Sequence, residues 1–209
     1  MFLNFFKKKD PIEAFWQYFQ EHEKELYSFR DEDIDKLFGE LHRLIKKVNN
    51  QLVFSMPKQL LDDKREFTIS GSGIGKNFPD VIRLVEAAPK MERFTIIAFN
   101  QRNDDEHGTT SDDIEITRDD VFFDYMYEKE REAFFLSLYI KGFEEKNDNY
   151  YAVVLDLLEI VIGEYTLGTE IAEIEFKKFI NEVDLLPIND LPKILEDIKK
   201  GIILKRDEF

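Results

Sequence analysis

A chain of 209 residues, 43% of them hydrophobic and including 20 Phe and 8 Tyr, has enough apolar surface to bury a core as one large domain or two small ones. Zero cysteines exclude a disulfide scaffold, a thiolate metal site and a cysteine nucleophile, and they fit a reducing, cytoplasmic setting. The net charge of −15 works against nucleic-acid binding, because each phosphate contact wants a Lys or Arg, so no nucleic acid is expected as a partner.

The opening MFLNFFKKKD sets Phe2, Leu3, Phe5 and Phe6 before Lys7, Lys8 and Lys9, the reverse of a secretory signal. It reads as a terminus whose rings fold back on the body, with contact to an anionic membrane surface as the alternative. Asp10, Pro11 and Glu13 then form a helix start: an N-cap carboxylate, a proline at the first helical position and an acidic residue three after the cap. The helix is predicted to run to about Leu26, with Ile12, Phe15, Trp16 and Phe19 on one face. A second helix, from about Asp31 to Asn49, carries Ile34, Leu37, Phe38, Leu41, Leu44, Ile45 and Val48 in the same way. Residues 1–50 are therefore expected to form a helical hairpin.

From Leu52 the hydrophobic period changes from helical to alternating. LVFSM (52–56) and REFTISG (65–71) predict strands, NFPDVIRLVEAAP a helix stopped at Pro89, and ERFTIIAFN (92–100) another strand, which is a ββαβ unit. IEIT (114–117) reads as a short extra strand. VFFDYMY (121–127) and EAFFLSLYIKG (132–142) are again two strands, 148–162 a helix that Gly163 ends, and EIAEIEFKKF (170–179) a strand. The order of elements recurs with little residue identity. Residues 51–180 are thus expected to be a duplicated ββαβ body with one mainly antiparallel sheet and helices on one face, an α+β fold. Residues 181–209 add a C-terminal helix and tail, with Asn189 or Asp190 as cap, Leu191, Ile194, Leu195 and Ile198 as stripe, and Gly201 as stop. The three segments are expected to make one compact domain. The longest apolar run, VVLDLLEIVI, is interrupted by carboxylates and too short to span a membrane.

GSGIGK (71–76), between a strand and a helix, poses the first chemical question. A P-loop needs G-x-x-x-x-G-K-[ST]. Counting back from Gly75 and Lys76, the first glycine place holds Ser70, and Asn77 stands where the hydroxyl belongs. The dinucleotide pattern G-x-G-x-x-G fails at Lys76. What remains is a site for a phosphorylated ligand made by the amides of Gly71, Gly73 and Gly75 with Lys76 and Asn77 near a helix N-terminus. The competing reading is a connector in which glycines supply positive φ, Asn77 caps the helix and Pro79 sits in its first turn. The corresponding connector of the second half, GFEEKNDN from Gly142, shares only its leading glycine.

Other constellations are weaker. NDDEHGTTSDDIE (103–115) places Asn103, Asp105, His107 and Gly108 as an EF-hand would, but Ile114 occupies the place of the bidentate glutamate, so it reads as a polar loop. His22 and His42 would approach each other across the hairpin, without a metal-binding spacing. Asp156 and Glu159 lie one turn apart, on a stripe with Asn149, Ala152 and Gly163 that reads as a solvent face. There is no G-x-S-x-G elbow, and neither a cofactor nor a metal is expected.

Residues 103–132 hold twelve carboxylates against Arg118, Lys129 and Arg131, a net charge of −9. Such a region attracts a basic protein partner, with Asp112, Asp113, Asp119, Asp120 and Asp124 as candidate contacts; the alternative is a merely solubilising surface. FPDVIRLVEAAP followed by RFTIIAFNQR, and later IGEYTLGTEIAEIEF, resemble an uncharacterised family of small acidic bacterial α+β proteins over roughly residues 10–180. That resemblance implies no catalytic motif, and GSGIGK departs from it. The leading expectation is a protein-binding or regulatory module, inhibitor-like or immunity-like, without catalytic activity. Behind it stand the phosphorylated-ligand site and a structural subunit that buries an aromatic sheet face by self-association, since oligomeric state is not read from the sequence.

Overall fold

Asp10 starts the first helix as its position demands: its carboxylate accepts from the Ile12 amide at 2.8 Å, with Pro11 at the first helical position. In the computed structural model, which describes residues 9–111, 113–181 and 184–202, the chain divides into two compact units, Met1–Asn100 and Gln101–Phe209. The aromatic opening segment, residues 1–8, lies outside the described residues.

In the first unit α1 (Pro11–Glu21) ends at His22, whose ring bonds the Tyr18 carbonyl, and the short α2 (Glu23–Tyr27) follows. One helix to Leu26 was expected; the structure breaks it in two. A 3₁₀ turn at Asp31–Asp33 leads into α3 (Ile34–Val48). The strands β1 (Val53–Ser55) and β2 (Arg65–Ser70) pair antiparallel, α4 (Phe78–Glu86) crosses over, and β3 (Phe94–Ala98) returns parallel to β2. A helix crossover brings a strand back in the same direction, which a tight turn does not. The stripes of α1, α3 and α4 share one core with Phe67, Ile69 and Phe94 of the sheet. Phe67 is central, its ring 4.9 Å from Phe19 and 5.2 Å from Phe54, with Phe15 and Trp16 beyond. The indole N–H of Trp16 donates to the Leu84 carbonyl at 2.8 Å and ties α1 to α4.

Arg65 is buried at the start of β2, where its guanidinium donates to the carbonyls of Tyr27 and Pro57 and lies 4.7 Å from the Phe29 ring. Desolvation pushes its pKa down from the ordinary arginine value. The chain reaches β2 through a two-residue turn closed by mutual backbone bonds between Leu61 and Lys64, with Asp62 and Asp63 both at positive φ, 50° and 59°. That geometry belongs to Asn-Gly. Replacing Asp62-Asp63 by Asn-Gly is therefore expected to stabilise the chain by about 1 kcal/mol, read as a higher urea midpoint at unchanged slope.

The second unit repeats the order of elements. A hairpin of β4 (Gly108–Ser111) and β5 (Ile114–Thr117) comes first. Then β6 (Val121–Glu128) and β7 (Ala133–Ile140) pair antiparallel, and α5 (Asp148–Ile162) is capped by the Asn147 side chain and stopped by Gly163 at φ 80°. The short α6 (Glu164–Glu170) follows, and β8 (Ile171–Lys178) returns parallel to β7. The two-residue β9 (Leu186–Pro187) pairs with β6, and α7 (Leu191–Lys199) closes the described chain. Phe123, Phe134, Leu136 and Leu138 form one core with Val154, Leu157 and Leu158 of α5 and Leu191 and Leu195 of α7.

The chain is thus an α+β fold with N-terminal helices, mixed sheets interspersed with helices, and a C-terminal helix. Where one shared, mainly antiparallel sheet was expected, each ββαβ repeat has a sheet of its own, in the orders β1-β2-β3 and β8-β7-β6-β9. Each repeat pairs its strands locally, and short closures cost less entropy than joining the halves edge to edge. The polar-loop reading also gives way at β4, where GTTS lacks an apolar alternation and owes its strand to pairing with β5.

Candidate functional site

The glycine connector is held from inside. Asn77 is buried, and its side chain donates to the Gly71 carbonyl at 3.0 Å and accepts from Asn49 at 3.3 Å, so it staples the loop and makes no side-chain cap on α4. The capping role expected of it is thus corrected: a 3₁₀ turn, Gly75–Asn77, runs straight into the helix and leaves no cap geometry. A Cβ on Gly71 would stand 3.0 Å from the Phe78 ring and 3.2 Å from the Asn77 side chain, while Gly73 is needed for its φ of 68°. Ser72 adopts a positive φ as well, without being a glycine.

Four amides of this region donate within the protein: Ser72 to Ser70 Oγ, Ile74 to the Gly71 carbonyl, Asn77 to that of Ile74, and Phe78 to that of Gly75. In the first turn of α4 the Asp80 carboxylate takes bonds from Asn49 and Arg83. It places negative charge where an anion would profit from the helix dipole. Gly75 and Lys76 are exposed. This geometry makes a sharp forecast: Gly71→Ala costs about 1–3 kcal/mol by overpacking against Phe78, whereas Lys76→Ala stays within about 0.5 kcal/mol, both read by urea unfolding.

The acidic segment is not a loose polar loop. Arg118 is buried, and its guanidinium donates to the Glu106 carbonyl at 2.9 Å, the Asn103 carbonyl at 2.8 Å and Asn189 Oδ1 at 3.1 Å. Asn189, expected as a cap for the last helix, serves Arg118 instead, and Asp190 makes no capping bond. Around this clamp Asp104, Asp105, Glu106, Asp113, Glu115 and Asp119 are exposed.

The candidate contacts separate by role. Asp113 stands free of ion pairs among the described residues, and Asp119, 74% exposed, faces His107 at 3.3 Å. Asp120 is half-buried and accepts from both the amide and the hydroxyl of Thr117, at 3.0 and 2.6 Å. Asp124 accepts from the Tyr125 amide, and Asp112 lies outside the described residues. The Arg102 side chain, bonded to Asp104 at 2.6 Å, holds that carboxyl below the usual range.

A third cluster lies on the outer face of the second sheet, and the sequence reading missed it. Lys177 Nζ donates to Ser137 Oγ at 3.2 Å and pairs with Glu175 at 2.7 Å, and Ser137 Oγ donates to Glu175 at 3.3 Å. A serine beside a lysine suggests a nucleophile with its base. However, the bond to Glu175 raises the Lys177 pKa, so the ammonium keeps its proton and does not accept one from Ser137. The cross-strand register Ser137↔Glu175 and Tyr139↔Lys177 is the signal that unites these residues, and it appears only once the strands are paired.

The remaining candidates disperse. His22 stacks on Tyr18 and His42 packs against Phe54, so they have separate neighbours. Of the stripe expected to face solvent, Asn149, Ala152 and Asp156 are exposed, whereas Glu159 is half-buried and Gly163 buried, and partial burial raises the Asp156 pKa. Among the described residues no group of three His, Asp or Glu is placed to hold a metal ion, and no helix is long and apolar enough to cross a membrane. Comparison with protein-family models, curated proteins and solved structures found no match.

Proposed function

We propose that this chain is a cytoplasmic protein-recognition or regulatory module, inhibitor-like or immunity-like, whose acidic segment 103–132 meets a basic surface on a partner protein. The observation that carries the reading is the inward turn of Arg118. The arginine at the centre of the acidic segment spends its donors on Glu106, Asn103 and Asn189, which orders the segment and leaves the exposed carboxylates without an ion pair to it among the described residues. A preordered patch of one sign speeds encounter with the opposite sign and rejects like-charged competitors. Kinship with the uncharacterised family of small acidic α+β proteins belongs to the same proposal.

The test is a pull-down with the tagged full chain from its native lysate, treated with nuclease, at low and high salt. A basic protein should be retained at low salt, lost at high salt, and lost when Asp113→Asn and Asp119→Asn are combined. Asp120 is spared because its carboxylate supports Thr117. Retention that ignores both salt and the double substitution would overturn the reading.

A further inference from the structure

Across β6, β7 and β8 the outer face of the second sheet runs in rows: Phe122, Tyr139, Lys177; then Asp124, Ser137, Glu175; then Met126, Phe135, Glu173. Alternation along each strand puts these residues opposite the core side chains Phe123, Leu136 and Leu138. None of the nine is buried, and Met126 is 59% exposed.

The rings of this face already take cations from the chain itself. Lys141 Nζ lies 5.2 Å from the Phe122 ring centre and 5.9 Å from that of Phe179, and Lys177 Nζ lies 5.4 Å from Tyr139. Such distances are those of ammonium groups attracted to a ring's negative face. Among the described residues the third row has no equivalent cation over its ring. There Met126, the Phe135 ring and the Glu173 carboxylate succeed one another, and Glu173 makes no ion pair among the described residues.

We infer that this row is the docking position for an arginine side chain presented by a basic partner protein. The aliphatic stem lies over Met126, the guanidinium stacks on Phe135, and the charge pairs with Glu173. Arginine fits better than lysine, because a planar, weakly hydrated guanidinium both stacks on a ring and bonds a carboxylate in its own plane. A second copy of this chain packed face to face is disfavoured as occupant, since the nine residues of this face include no arginine. The inference rests on the basic-partner reading above and gives that reading a contact surface distinct from the acidic hairpin.

The test uses the full chain carrying 13C-methyl methionine and 15N amides, titrated at low salt with synthetic oligoarginine and, in parallel, oligolysine. The Met126 methyl signal, assigned through Met126→Ala, is expected to shift, and oligoarginine to bind at least about threefold more tightly than oligolysine. Combining Met126→Ala with Glu173→Gln, both at exposed positions that leave the core intact, should weaken oligoarginine binding by at least about threefold. If amides of residues 113–119 shift while the Met126 methyl stays still, the face proposal falls and the recognition reading stands. If no signal shifts at low salt, both fall.

Discussion

Arg118→Ala is expected to destabilise the chain by about 2–4 kcal/mol, a large effect for a residue in an otherwise charged and exposed stretch. The guanidinium satisfies two backbone carbonyls, of Asn103 and Glu106, together with Asn189 Oδ1, and the residue is 7% exposed. Truncation leaves these acceptors partly buried and unbonded, each at a cost of roughly 1–3 kcal/mol less whatever water restores. Arg118→Lys should recover less than half of the loss, because one ammonium cannot reach three acceptors held by a fork. Urea unfolding measures the loss, and amide hydrogen exchange locates it, with faster exchange expected first at residues 103–111. A variant as stable as the parent would remove the clamp from the account, and with it the ordered acidic patch.

Phe67→Ala should cost about 3–5 kcal/mol, felt in the first unit. Phe67 is fully buried on β2 among Phe15, Trp16, Phe19 and Phe54. Its removal takes away the transfer free energy of a phenyl ring and opens a cavity that four rings from two elements, α1 and β1, cannot all collapse into. Phe67→Leu should retain more than half of the lost stability. The chain's single tryptophan, Trp16, has its ring centre 6.3 Å from that of Phe67, so its fluorescence reports this core directly during unfolding. An unchanged tryptophan transition in Phe67→Ala would contradict the packing described.

These two residues mark where sequence reading succeeds and where it stops. Phe67 was legible, because REFTIS alternates and its apolar positions must face a core. The start of α1 was legible too, because Asp10, Pro11 and Glu13 act within one turn, and so was the end of α5, where Gly163 takes a backbone conformation that side chains disfavour. The repeated ββαβ order followed from the same local periodicities. Arg118, by contrast, looked like one more surface charge, because its acceptors at Asn103 and Asn189 come from opposite ends of the second unit. Asn77 was expected to cap a helix, as asparagine does in isolation, but the approach of Asn49 and Gly71 turned its amide inward.

What the sequence determined by itself is what short-range physics controls: helix starts and stops, strand alternation, the order of elements and the charge of residues 103–132. What only the tertiary structure decided is which distant groups meet. It placed β2 against β3 and β7 against β8 in parallel, divided the strands into separate sheets, and turned Arg118 inward. It also set Met126, Phe135 and Glu173 in one row, a register that exists only after three strands have paired. A side chain's neighbours along the chain are fixed by covalent spacing, whereas its neighbours across a sheet depend on loop closures and on burying a whole face at once.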